Sequence, residues 1–142
     1  MGGTSVLWIG GRFGKFVLEG PDGTLWKIGK QLSEQTIRLD PWTESNYNTS
    51  ETQAVYHCRQ IQGPSVGTRA IVKVRMQIPG NPENVCSDPN VRAKDASSVY
   101  ATPTIREINA LTWLTDSGCS VTPELISLRH YLQGPHNAVP GG

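Results

Sequence analysis

Between residues 5 and 39, short β-prone runs alternate with glycine-bearing turns: SVLWI, KFVLEG, TLWKIG and TIRL. Apolar and polar positions repeating with a period of two predict strands, so this stretch predicts an antiparallel meander over 1–39. In Gly20-Pro21-Asp22-Gly23, proline presets φ and glycine can take positive φ, which makes KFVLE and TLWKI the arms of one hairpin. A polar loop is expected over 40–52. A second hairpin over 52–78 follows, with TQAVYHCRQI as one arm, Gly63 to Gly67 as the turn and 69–78 as the other arm. In that last arm Ala70, Val72, Val74 and Met76 share one face, and Ile71, Lys73, Arg75 and Gln77 share the other.

Residues 79–101 carry three prolines and many small polar residues, which predicts a flexible insertion. Helix signals then coincide: Thr102 as N-cap, Pro103 at the first helical position and Gly118 as a stop. They predict a helix over 103–115. At about 100° per residue, Glu107 falls on the same arc as Ile108, Leu111 and Leu114. An alternative start at Thr104 would make Glu107 the third residue of a capping box, although Pro103 favours the earlier start. The run VTPELISLRHYL predicts a strand over 125–132, opened by Pro123, and the tail GPHNAVPGG reads as turns. The expected class is α+β: an antiparallel β-sheet with one main α-helix.

Composition bounds the alternatives. At 142 residues, 37% hydrophobic and 18% charged, the chain suits one modest globular domain over 1–142 with a limited core. Its net charge of +1, from thirteen basic residues scattered among twelve acids, leaves no footprint for nucleic acid or an anionic membrane as partner. No apolar run approaches the roughly 18 to 20 residues of a spanning helix, and the N-terminus does not read as a secretory signal. Position 6 is valine where a myristoylation pattern wants a hydroxyl. These features predict a soluble intracellular protein of the cytoplasm. Cys58, Cys86 and Cys119 lack CxxC spacing and are expected to be reduced structural thiols. His57, Glu124 and His130 have no metal-ligand spacing, and no metal site is expected. Trp8, Trp26, Trp42 and Trp113, with no basic cluster beside them, read as core or hairpin aromatics.

Two charges stand where burial is expected, Lys73 within the strand-like run AIVKVRM and Glu107 on the apolar arc of TPTIREINAL. Charges of opposite sign on separate elements most economically neutralise one another, which predicts a Lys73–Glu107 pair. A second motif competes for attention: Ile9-Gly10-Gly11-Arg12-Phe13-Gly14 looks like part of a phosphate-binding glycine loop, with Lys27 as its lysine. The next acid, Glu34, comes seven residues after Lys27, too soon for a helix to fold back, so GGRFG is read as an ordinary turn.

The order of hairpin, lysine strand, loop, helix and TPELI run resembles the small lobe of protein kinases. More closely, QAVYHCRQ, IVKVRMQIP, REINALTWLTDSGCSVTPELI and VPGG are similar to a group of fungal kinase-like proteins. The resemblance implies that Lys73 holds the α- and β-phosphates of ATP and that Glu107 pairs with it. It further implies ATP and Mg as cofactors of a full-length relative, and a large lobe or another protein as partner. The chain contains no HRD-like or DFG-like motif: Asp116 is the only aspartate at or beyond the end of the helix, and His130 is followed by Tyr131-Leu132. The loop 40–52 before the second hairpin also lacks glycine. The expectation is therefore a kinase-like N-lobe fragment, cut before the hinge and large lobe, with no catalytic residues and no phosphotransferase activity of its own. The alternative is a non-catalytic β-rich interaction module using its unpaired sheet edge.

Overall fold

The computed structural model of the chain describes residues 8–37, 50–79, 85–94, 96, 102–140 and 142. The described residues form an α+β fold, with a four-stranded antiparallel sheet in the order β1-β2-β3-β4. The strands are β1 (Val17–Glu19), β2 (Leu25–Ile37), β3 (Glu51–Gln62) and β4 (Arg69–Gln77), and the helices are α1 (Pro89–Ala93) and α2 (Thr102–Asp116). The chain divides into two compact units interleaved in sequence. Met1–Thr36 with Thr52–Met76 makes the first, and Ile37–Glu51 with Gln77–Gly142 makes the second.

In the first unit, the Gly20–Gly23 turn closes the expected hairpin, pairing Val17 with Lys27, Leu18 with Trp26 and Glu19 with Leu25. The Gly20 amide donates to the Thr24 carbonyl at 2.8 Å and Gly23 takes φ of +72°. TLWKIG and TIRL, expected as separate strands, are instead merged through 37 into β2, because Gly29 continues the extended backbone instead of turning it. The SVLWI strand is not present at its described end, where 9–15 form turns; its residues 5–7, like Trp42 and most of the 40–52 loop, lie outside the described residues.

Period-two alternation governs β3 and β4. Ala54, Tyr56, Cys58 and Gln60 are buried while His57, Arg59 and Ile61 are exposed. On β4, Ala70, Val72, Val74 and Met76 lie inward of the exposed Ile71 and Lys73, as the sequence pattern requires. The inward set with Ile9, Trp26 and Ile28 forms the core of this unit.

The second unit is built on α2. Thr104, Glu107, Ile108, Leu111, Leu114 and Thr115, buried or half-buried, recur at helical spacing on one face, with Pro103 and Ile105 of the first turns also half-buried. Thr104 sits inside the helix, so the alternative start there is excluded. Its hydroxyl approaches the buried Glu51 carboxylate at 2.8 and 2.9 Å instead of capping an N-terminus. The helix ends in a Schellman motif, with the Cys119 amide donating to the Leu114 carbonyl and the Gly118 amide to that of Thr115, both at 3.0 Å. Gly118 takes the required φ of +71°.

Three expectations change here. The 79–101 stretch is not wholly irregular: it contains α1, capped by the Asp88 side chain accepting from the Asn90 amide at 2.9 Å. Arg92 of α1 donates to the carbonyls of Cys86 at 2.7 Å and Ala138 at 3.1 Å, tying this segment to the tail. Residues 80–84, 95 and 97–101 of the stretch lie outside the described set. The 125–132 run is not a strand, since no ladder forms along it. β-Prone residues become a strand only when a second strand takes up their backbone groups. Trp113 is 68% exposed and contributes nothing to a core, whereas Trp26 is buried with its indole N–H on the Thr24 hydroxyl at 3.1 Å.

Gly118→Ala should cost about 1–2 kcal/mol in a urea melt, because a side chain at this positive φ meets backbone strain although no neighbour lies near. Gly118→Asn, which tolerates this conformation, should cost less.

Candidate functional site

The densest polar geometry in the first unit surrounds Glu34. This residue lies on the same side of β2 as Trp26 and Ile28, at even positions of the alternation. Its carboxylate accepts the Ile9 amide at 3.1 Å, the Gly10 amide at 2.6 Å, the Gln31 side-chain amide at 3.1 Å and the Thr52 hydroxyl at 3.1 Å. Consecutive backbone N–H groups in a turn form a nest that favours an anion. Here the chain's own carboxylate fills that nest. Burial pushes the Glu34 carboxyl up, and the hydrogen bonds from Gly10, Ile9, Gln31 and Thr52 outweigh it, leaving it below its ordinary value.

The turn is held from its other side by aromatic packing. The fully buried Tyr56 donates its hydroxyl to the Gly10 carbonyl at 2.7 Å. Phe13 meets the Phe16 and Tyr56 rings edge-on at 5.9 and 6.4 Å, and the Arg12 guanidinium lies 5.6 Å from the Phe13 centroid. Burial and the Glu34 charge push the Tyr56 hydroxyl up, partly offset by Arg12. GGRFG is thus a turn organised by a glutamate and a tyrosine, as the reading of it as an ordinary turn expects.

On the outward face of the sheet the odd-numbered positions converge. Ser33 and Gln35 of β2, Gln53 of β3 and Lys73 and Arg75 of β4 line a groove of about 180 Å³. Parity alone brings them together: each is outward on its strand, and the strands are neighbours. Two cations two residues apart, flanked by amides and a hydroxyl, suit an oxyanion such as phosphate or carboxylate. The groove lining contains neither a carboxylate to act as general base nor a set of metal ligands.

The residues singled out from sequence are distributed as follows. Lys73 is exposed on β4 in the first unit instead of buried, because it stands at an outward position of the alternation. Glu107 is half-buried on α2 in the second unit. His57, Glu124 and His130 are exposed, and among the described residues no group of three His, Cys, Asp or Glu could hold a metal. Cys58 is buried, which pushes its thiol up, with partial relief from a hydrogen bond to the Ala70 backbone. Hydrogen bonds from the Thr122 side chain and the Val121 backbone hold the Cys119 thiol below its ordinary value. Sequence reasoning passed over Arg75 as a partner of Lys73 and Glu34 as an anchor. The parity of Gln53, Lys73 and Arg75 was the available signal for the first, whereas nothing local marks Glu34.

No protein-family model matches the chain, and neither a curated protein nor a solved structure matches it. Among the described residues no helix is long and apolar enough to cross a membrane.

Replacing Glu34 by Gln should destabilise the protein by about 1–3 kcal/mol at pH 7, through weaker bonds to two backbone amides. Because the folded carboxyl lies below its ordinary value of 4.5, its contribution is complete above about pH 4.5 and is lost as pH falls through the lower folded value. Urea melts from pH 7 downward should therefore show a shallower acid limb for Glu34→Gln than for the natural chain.

Proposed function

We propose that the chain is a kinase-like small lobe whose outward sheet face recognises the phosphates of a nucleotide, and that it carries no phosphoryl transfer by itself. The observation that carries this reading is the groove in which Lys73 and Arg75 stand beside Gln35, Gln53 and Ser33. The order of elements supports it: a hairpin delivers the lysine strand β4, and a helix with a half-buried glutamate follows. The absence of HRD-like and DFG-like motifs from the sequence supports the lack of transfer, because metal and nucleophile would have no holder in this chain.

Phosphate recognition here uses side chains. The turn amides of Ile9 and Gly10 already serve Glu34, and the cationic pair on β4 takes the role that a glycine loop has elsewhere. ATP is the nucleotide that the resemblance implies, with Mg bound only when a large lobe supplies its ligands. The cytoplasm and a lobe-like protein partner complete the proposal. A second reading, a non-catalytic β-rich interaction module, is favoured by one observation, the exposed apolar run at 125–132.

Titration calorimetry of the purified chain with ATP should show binding without Mg. Lys73→Met and Arg75→Met should each weaken it about tenfold or more, the equivalent of one charge-assisted contact. Binding indifferent to both substitutions would contradict the proposal, as would Mg-dependent phosphotransfer by the chain alone.

A further inference from the structure

The outward face of the sheet in the first unit carries a second set of charges, apart from the groove, and the ladder registers fix its place. On one side, β1 sets Val17 opposite Lys27. Between β2 and β3, the Thr52 hydroxyl meets the Glu34 carboxylate at 3.1 Å, and a Cβ on Gly29 would meet the His57 carbonyl at 3.6 Å. Both contacts belong to one register, which sets Lys27 opposite Arg59. Between β3 and β4, the Gln60 amide donates to the Thr68 carbonyl at 2.8 Å and the Ile78 amide to the Ser50 carbonyl at 3.0 Å. These bonds, at the two ends of the ladder, agree and set Arg59 opposite Arg69. Lys27, Arg59 and Arg69 thus form a row of three cations across adjacent strands, about 4.5–5.5 Å from one to the next at the backbone.

Like charges directly opposite one another destabilise a sheet. Here Arg59 and Arg69 are exposed, Lys27 is half-buried, and none of the three side chains makes a hydrogen bond or ion pair among the described residues. On the flanking rows of this face the one acid among the described residues is Glu19 of β1, opposite Leu25. A local rule broken without compensation is characteristic of a functional place. The next row toward the groove is Gly29, His57 and Ile71, in which Gly29 adds no side chain, His57 is exposed and Ile71 is 51% exposed. Cations in one row, and an open imidazole and aliphatic surface in the next, match the alternation of phosphate and base along a nucleotide strand.

We infer that this face holds a single strand of nucleic acid, with its phosphates on Lys27, Arg59 and Arg69 and a base over His57 and Ile71. Two of the three cations are arginines, whose planar fork takes two phosphate oxygens at once. The major groove of a duplex admits a helix or a two-stranded ribbon, whereas this row crosses three strands in the body of a sheet, which suits one strand laid flat. Thirteen basic residues are scattered along the sequence among twelve acids, so the charge balance gave no sign of such a partner. Strand pairing gathers three of them.

Fluorescence anisotropy of the full chain with a labelled oligouridylate of about twelve nucleotides tests this. With three phosphates neutralised, the logarithm of the association constant should fall against the logarithm of salt concentration with a slope of about −2. Arg59→Gln combined with Arg69→Gln should flatten the slope to about −0.7 and weaken binding at least about tenfold at about 0.1 M salt. Arg59→Lys combined with Arg69→Lys keeps the charge and should keep the slope, and Arg106→Gln, exposed on α2, should change binding less than about twofold. Because the glutamine pair relieves repulsion, its urea midpoint should equal or exceed that of the natural chain, which separates lost binding from lost folding. Inorganic polyphosphate, which offers charge without bases, and a duplex of the same length should each bind at least about tenfold more weakly. No binding of oligouridylate, a slope unchanged by the glutamine pair, an equal loss in Arg106→Gln, or polyphosphate, duplex or anionic vesicles bound as tightly as oligouridylate would overturn the inference.

Discussion

The first unit depends on one carboxylate. Glu34 joins three stretches distant in sequence: the turn at Ile9 and Gly10, its own strand at Gln31, and β3 at Thr52. A carboxylate that accepts several hydrogen bonds stays ionised and fixes the groups that donate to it. With those bonds in place, Tyr56 can close on the Gly10 carbonyl and Phe13 can pack edge-on against it. The glycine turn is thereby a structural corner. Its anion-binding capacity is satisfied internally, by Glu34.

The second unit uses the same device at other places. Glu51 is buried and receives the Thr104 hydroxyl, Arg92 gathers carbonyls from Cys86 and Ala138, and Gln133 bridges Gln77 and Val139. Among its described residues the largest fully buried apolar side chains are Ile78 and Val139. Polar side chains reaching backbone groups therefore organise the segments outside regular structure, where few apolar contacts are available. The 125–132 run is the exception, held at its ends while its apolar side chains face solvent.

Local patterns made much of the fold legible and left its polar joints hidden. The hairpin at Gly20–Gly23, the parity of β4 and the C-terminal end of α2 follow from turn residues, period two and capping chemistry, all set within a few residues of chain. The continuity of β2 through Gly29 was not legible, because an isolated glycine reads as an interruption whether or not the neighbouring strand carries it through. For the same reason 125–132 looked like a strand: propensity speaks for the residues and says nothing of a neighbour. Lys73 was found, but its burial was inferred from apolar flanks, and alternation turns those flanks inward and the lysine outward. Glu34 was weighed only against Lys27, since its true partners are backbone amides some two dozen residues earlier.

If the carboxylate organises the first unit as described, its grip must be visible at the donors. Amide hydrogen exchange of Ile9 and Gly10, followed residue by residue at neutral pH, tests this most directly. The account predicts strong protection of both amides in the natural chain, and faster exchange at these two positions in Glu34→Gln while the β3 and β4 amides keep their protection. Exchange at Ile9 and Gly10 as fast as in an unstructured peptide, or protection unchanged when Glu34 is replaced, would contradict it.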